Sequence, residues 1–245
     1  MSPRDWDAAT YERIAAPLTA MGSDVLDRLV LAGDETVLDA GCGTGNVTRL
    51  LLERLPRGRV IAVDAAPSMV EQARELLPAG TDVRQADLLE LDLGERVDAV
   101  LSTATFHWVP DHDLLFRNLH DVLVPGGRLV AQCGGVGNIA TVQRVLARIG
   151  DGWLGSVHFE TPLATVRRLD AAGYVDIECW LTDEPWRFEP GEPFETYLRT
   201  VVLGDHLARI PPEAHEAFVH EVAAGMPEAL IDYVRLNIVA RRSSR

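Results

Sequence analysis

Lysine is absent from this chain of 245 residues; all 23 of its basic residues are arginine. No Schiff base can form on a side-chain amine, which excludes pyridoxal-phosphate chemistry and the lysine-dependent aldolases. The phosphate-binding loop G-x-x-x-x-G-K-[ST] cannot be written without lysine, so P-loop nucleotide hydrolases are excluded. Protein kinases, which need a strand lysine, go with them. Cysteine is nearly as scarce: three residues, Cys42, Cys133 and Cys179, with no C-x-x-C pair. That pattern supports neither a disulfide framework nor a zinc knuckle and fits a reducing compartment. No apolar run approaches the roughly 20 residues of a membrane span, and Met1 to Trp6 lack a signal-peptide core. Positive charge is in deficit too, with 23 basic against 37 acidic residues for a net charge of −14. A surface of that sign repels phosphate backbones and anionic bilayers, so neither nucleic acid nor a membrane is an expected partner. The expectation is a cytoplasmic protein, monomer or homodimer.

What is present is ordinary globular composition, 47% hydrophobic and 24% charged. Short apolar runs at 36–39, 59–63, 82–85, 97–102 and 128–132 read as strands. Between them, 46–55, a segment opening at Pro67, and 112–123 carry apolar residues at helical spacing. Such alternation predicts a parallel sheet with helices on both faces. Beyond residue 135 the texture changes. An amphipathic stretch at 161–172 precedes a strand at 174–181. A break follows at Glu189-Pro190-Gly191-Glu192-Pro193, then helical segments at 194–210 and 212–224; 229–239 reads as strand or helix.

The segment Asp39-Ala40-Gly41-Cys42-Gly43-Thr44-Gly45 lies between the first predicted strand and the first predicted helix. Glycines there let the backbone reach positive φ and approach a ligand, and open parallel sheets bind ligands at the carboxyl ends of their strands. The dinucleotide fingerprint G-x-G-x-x-G would need glycine at 46, where the chain has Asn46. Asp39, two residues before the first glycine, is poorly placed beside phosphates and well placed near an ammonium. Asp64 closes the second strand, where a carboxylate accepts from both hydroxyls of a ribose. Asp87 follows the third strand, where it suits an adenine amine. Any one of these aspartates reads equally as a cap or a solvated loop residue. Three at successive strand ends, beside a glycine loop, point together to a nucleoside carrying an amino group.

These residues, with Ala65-Ala66-Pro67-Ser68-Met69, Ala86-Asp87-Leu88 and Pro125-Gly126-Gly127, resemble the class I S-adenosylmethionine-dependent methyltransferases over about residues 30–135. Trp6-Asp7-Ala8-Ala9-Thr10-Tyr11, Phe106-His107-Trp108-Val109 and Asp111-His112 are similar to the trans-aconitate methyltransferase-like branch. So are Tyr197-Leu198-Arg199-Thr200-Val201 and Asp232-Tyr233-Val234-Arg235-Leu236-Asn237. The resemblance implies an α/β, doubly wound, Rossmann-like fold: a seven-stranded sheet, its last strand antiparallel, with helical lid segments. Residues 231–240 are then strand. It further implies one domain over 1–245, with N-terminal lid helices at 1–30, a cofactor-binding core at 31–135, and an acceptor-pocket half at 136–245 that includes inserted helices at 190–225. The implied cofactor is S-adenosyl-L-methionine, the product S-adenosyl-L-homocysteine, and the partner a small-molecule acceptor at an O, C or N atom. Carried over, Gly41, Gly43 and Gly45 line the methionine moiety with Asp39 near its amino group. Asp64 holds the ribose, Asp87 the adenine amine, Leu88 packs on the ring, and Ala65 or Ala66 lies at its edge. Thr103 or Ala104 faces the sulfonium, Tyr11 folds over as part of a lid, and Cys42 and Met69 complete the set.

On the acceptor side, His107 follows the fourth strand and is the candidate catalytic or acceptor-orienting residue, with packing beside Trp108 as its other reading. Trp108 is candidate pocket wall; Tyr197 and His206 are further candidates for touching the acceptor. A carboxylate acceptor needs no base, whereas a hydroxyl, amine or carbon acceptor benefits from one. His215 and His220, five apart, face different sides of a helix, and no metal is expected. One departure bears on the acceptor. Where the trans-aconitate enzymes carry Arg-Pro-Ala this chain reads Ala16-Pro17-Leu18, which argues against an arginine pocket there and for a less charged, partly apolar acceptor. The alternatives are a cofactor-binding protein of this fold that runs a non-methyl reaction such as cyclisation, or a non-catalytic partner.

Overall fold

The computed structural model describes residues 8, 10, 14, 16–149 and 152–244. Five parallel strands, β1 (Thr36–Ala40), β2 (Arg59–Asp64), β3 (Asp82–Gln85), β4 (Val97–Thr103) and β5 (Leu123–Gly134), form most of the sheet. β6 (Tyr174–Asp183) stands at one edge, and β9 (Val234–Arg242) runs antiparallel between β5 and β6. The order is β3-β2-β1-β4-β5-β9-β6. A two-residue pair, β7 (Trp186–Arg187) with β8 (Leu230–Ile231), lies apart. This is the doubly wound sheet with an antiparallel last strand, and its order reverses between β1 and β4, where such folds place their ligands.

Strand residues alternate between two apolar layers. Leu38 and Ala40 join Leu115, Phe116 and Leu119 of the helix His112–Val122. Val37 joins Val47 and Leu51 of Asn46–Glu53 and Val70 of Pro67–Leu76. Asp39 is therefore turned to the second layer, buried among helices rather than at the surface. A third layer gathers Val142, Phe194, Tyr197, Val219 and Tyr233 from the second half of the chain.

Two elements differ from expectation. The helix expected over 194–210 breaks into Glu192–Tyr197, a π turn at Leu198–Val202, and Gly204–Leu207. The run Thr200-Val201-Val202 followed by Gly204 crowds and then loosens the backbone there. β5 begins five residues before the expected 128, because Leu123 pairs with Val97 ahead of a bulge at Pro125-Gly126-Gly127, after which Arg128 pairs with Ala99.

The helix Ala16–Leu26, here α1, packs against β4, β5 and the helix Asn46–Glu53. It contributes Val25 and Leu26 to the second layer and Met21 to the third. Gly22 permits this seat, since a Cβ there would stand 2.5 Å from Val47 Cγ2. Gly22→Val is expected to lift α1 and lower the melting temperature by about 3–10 °C in a thermal denaturation scan.

Candidate active site

The loop after β1 takes positive φ at each glycine, +83° at Gly41, +54° at Gly43 and +91° at Gly45. The three serve different ends. A Cβ on Gly41 would fall 2.2 Å from Thr105 Oγ1, and one on Gly45 would crowd Leu77 at 3.1 Å; on Gly43 it would meet nothing within 4 Å. Gly43 alone of the three thus leaves open space before it, on the side of the cleft. Val63 carbonyl oxygen accepts from the N–H groups of both Gly41 and Cys42, at 2.8 and 2.9 Å. Asp64 accepts from Gly43 N–H and Ala66 N–H, each at 2.9 Å. The tip of β2 thereby holds the loop in shape.

Asp39 is 1% exposed. Its Oδ2 accepts from the Thr48 hydroxyl at 2.6 Å, while its Oδ1 has no partner among the described residues. Burial pushes its carboxyl up to about 6, opposed by the Thr48 hydrogen bond and reinforced by the charge of Asp64. Burial also raises Asp64 and holds the Cys42 thiol far from ionisation, with Asp39 and Asp64 adding to it. Leu18 and Thr19 of α1 roof a cleft of about 390 Å³, mouth included, whose floor is Gly43, Thr44, Thr103 and Ala104. A larger hollow of about 470 Å³ lies between Glu35, Asp98 and Arg128 at the opposite, amino ends of the strands. Glu35 there spends its carboxylate on the N–H groups of Ala32, Gly33 and Asp34, and Asp98 accepts from Thr36 N–H at 2.8 Å.

Ala104 has φ +55°, rare for a residue with a side chain, and donates its N–H to Gln132 at 2.7 Å. Asp87 is exposed and caps the turn Leu88–Glu90 by accepting from Leu89 N–H at 2.9 Å. Both the capping reading and an open second oxygen are therefore present at that strand end. Leu88 is buried in the first apolar layer. Met69 and Ala66 pack with Ala8, beside the turn that begins at Ala65. Tyr11 lies outside the described residues.

His107 is 8% exposed, and its Nδ1 accepts from Gly134 N–H at 3.2 Å. A backbone N–H only donates, so the ring proton sits on Nε2. Burial, with the charges of Arg235 and His112, keeps this imidazole far below its ordinary value and neutral. Trp108 and Phe159 flank the ring, with centroids 5.1 and 5.8 Å away. Tyr197 is buried, its hydroxyl 2.5 Å from that of Tyr233, which burial pushes up to about 12. His206 donates from Nε2 to Trp153 carbonyl at 3.1 Å and lies tilted against that indole, ring centroids 4.8 Å apart, tying the loop near 153 to the helix Gly204–Leu207. His215 donates to Leu207 and Ile210 carbonyls, and His220 meets Glu195.

Sequence reasoning missed a buried polar group beneath α1. Gln132 donates to Asn237 Oδ1 at 2.9 Å and to Glu184 at 3.3 Å, and accepts from Arg235 Nε at 3.4 Å. Arg28 closes onto Asn237, whose amide also donates to Thr182 at 3.0 Å. In β9 the pattern Val234-Arg235-Leu236-Asn237-Ile238 reads as a polar face turned to water. No spacing in the sequence signals that Arg28, just past α1, closes over that face.

Asp39 Oδ1, a buried carboxylate oxygen without a partner among the described residues, at the end of the strand that leads into the glycine loop, fits a ligand with an ammonium group, as S-adenosylmethionine has. Such a ligand binds the charged carboxylate, so affinity should fall as pH drops through 6, by about tenfold per unit. Calorimetric titration with S-adenosylhomocysteine from pH 5 to 8 measures this, and in Asp39→Asn the slope should be gone.

A protein-family model described as a methyltransferase domain matches residues 37–127. Trans-aconitate 2-methyltransferase of Methylobacterium nodulans is 30% identical over 262 residues, covering 98% of this chain and 99% of the relative. The enzyme of the same name from Azoarcus sp. is 31% identical over 255 residues, covering 97% and 99%. Among solved structures, a Haemonchus contortus phosphoethanolamine N-methyltransferase in complex with S-adenosyl-L-methionine superposes with TM-score 0.64 at 18% identity, covering 97% of this chain and 57% of that one. A Mesorhizobium loti S-adenosylmethionine-dependent methyltransferase gives TM-score 0.58 at 22% identity, covering 90% and 96%. The two structures share the fold; the two sequences match end to end, and on that ground this chain belongs to the trans-aconitate 2-methyltransferase family of S-adenosylmethionine-dependent methyltransferases.

Proposed function

We propose that this methyltransferase esterifies a carboxylate of a small-molecule acceptor. The observation that carries the reading is the state of His107. It is the titratable side chain next to the tip of β4, and it is neutral with its Nδ1 lone pair already engaged by Gly134. It offers a proton donor at Nε2 and no base. A hydroxyl or amine acceptor would want a base; a carboxylate is nucleophilic as it stands. The curated relatives, named for methylating trans-aconitate, agree with that acceptor chemistry.

S-adenosylmethionine, when bound, supplies a methyl group on a sulfonium sulfur. Asp39 Oδ1 would take its ammonium, and Gly43 would leave room for the methionine chain. Asp64, already aligned by two backbone N–H groups, would accept from the ribose hydroxyls, and the free oxygen of Asp87 from the adenine amine. Thr103 and Ala104 would face the reacting centre, and Tyr11 would belong to the lid with Ala8. His107 Nε2–H would orient the acceptor, with Trp108 as wall. The chain's contribution is then alignment and exclusion of water. The divisions at 30 and 135 separate lid, cofactor core and acceptor half. No described helix is long and apolar enough to cross a membrane. The three free cysteines agree with a cytoplasmic setting, and the acidic surface with a small-molecule rather than nucleic-acid partner.

Two measurements test this. Incubation with trans-aconitate and a panel of other carboxylates should release S-adenosylhomocysteine and a methyl ester, with kcat/KM flat between pH 6.5 and 8.5; a rise with an inflection near 6.5 would restore His107 as a base. Asp64→Ala should weaken S-adenosylhomocysteine binding by about 30-fold or more in calorimetry, through loss of charged hydrogen bonds and of the loop's anchor; an unchanged affinity would overturn the assignment of that residue.

A further inference from the structure

Arg235 is 2% exposed, in a protein whose net charge is −14. A guanidinium so placed ordinarily has a carboxylate against it, because an unpaired buried charge is costly. Among the described residues none lies within 4.0 Å of its nitrogens. Its Nε reaches Gln132 Oε1 at a long 3.4 Å, and its plane lies 5.5 Å from the centre of the Tyr233 ring. Glu184, the acid whose field it feels, gives its Oε1 to Gln132 instead. The two terminal nitrogens of Arg235 are thus a preformed fork, and a fork of that kind matches a carboxylate.

Its place in the sheet says which carboxylate. In β9, Arg235 stands opposite Gly134 of β5, while Thr103 at the tip of β4 stands opposite Gln132. Two strand spacings put its backbone about 10 Å from that tip. The same Gly134 holds His107, whose Nε2–H is the neighbouring donor and whose imidazole feels the charge of Arg235. A cation and a neutral donor are therefore both placed at the Gly134 end of β5, near the end of β4, and a carboxylate at the fork would lie away from the reacting one. We propose that Arg235 binds a second, non-reacting carboxylate of the acceptor, so that the enzyme selects short di- or tricarboxylates over monocarboxylates. This rests on the carboxylate reading above. It also answers the missing arginine at Ala16-Pro17-Leu18: the cation is supplied from β9 instead of the lid.

The test compares trans-aconitate with crotonate, a monocarboxylate, as acceptors. Wild-type enzyme should favour trans-aconitate. In Arg235→Gln the ratio of kcat/KM for the two should fall about 30- to 100-fold, and the Kd for trans-aconitate, measured by calorimetry with S-adenosylhomocysteine present, should rise by a similar factor. Arg235→Lys, which keeps the charge and loses the fork, should fall between. S-adenosylhomocysteine affinity should hold in both variants, a readout that a merely structural arginine would not spare. An unchanged ratio and Kd in Arg235→Gln, or equal loss for both acceptors together with loss of S-adenosylhomocysteine binding, would overturn the proposal while leaving the carboxylate reading intact. A wild-type enzyme that methylates no carboxylate would overturn that reading, and this one with it.

Discussion

The site hangs on the way β2 holds the glycine loop of β1. One carbonyl, that of Val63, takes two successive loop N–H groups, and the next residue, Asp64, takes a third from Gly43. Three backbone donors that would otherwise need water are thereby satisfied within a dry loop, and none of this is available to a chain that cannot reach positive φ. Once the loop is fixed, Gly41 can touch Thr105, whose hydroxyl lies 3.2 Å from Gly41 carbonyl. That contact joins the two strands flanking the point where the sheet reverses order. The cleft is what remains between them.

The fold carries a cost at this point. Asp39 has a carboxyl raised by burial, so the folded state holds its proton more tightly than the unfolded one does. Stability contributed by the neutral form is present below the unfolded value near 4 and is lost as pH rises toward 6, a penalty of about 3 kcal/mol. An ammonium ligand would offset that penalty on arrival. Arg235 is the same device with the sign reversed: a charge kept dry with its fork open. Both ends of the reaction would then be prepared by charges that the fold alone leaves without a counterpart.

How much of this was legible follows from what periodicity can report. Asp39, Asp64 and Asp87 could be singled out because they stand at or just past the carboxyl ends of successive strands, and that position depends on chain order alone. The antiparallel β9 came from resemblance, since 229–239 is apolar enough to read either way. His107 was placed correctly beside Trp108, but its chemistry was not readable, because the group that sets its tautomer is a backbone N–H 27 residues away. Arg235 failed for a clearer reason. Alternation in a strand distinguishes two faces without saying which is wet, and a group that closes over this one is Arg28, just past α1 and more than 200 residues earlier in the chain. The π turn after Tyr197 was likewise hidden, since an apolar stripe does not reveal a change of helical pitch.

That α1 belongs to two apolar layers has a further consequence. Its eleven residues roof the cleft with Leu18 and Thr19, and the chain just beyond it caps the Arg235 network through Arg28. Moving α1 away from the cleft would have to release Met21 from one layer and Val25 from the other at once. One helix therefore joins the wall of the cleft to the packing of both layers, and a change on either side of it is felt on the other.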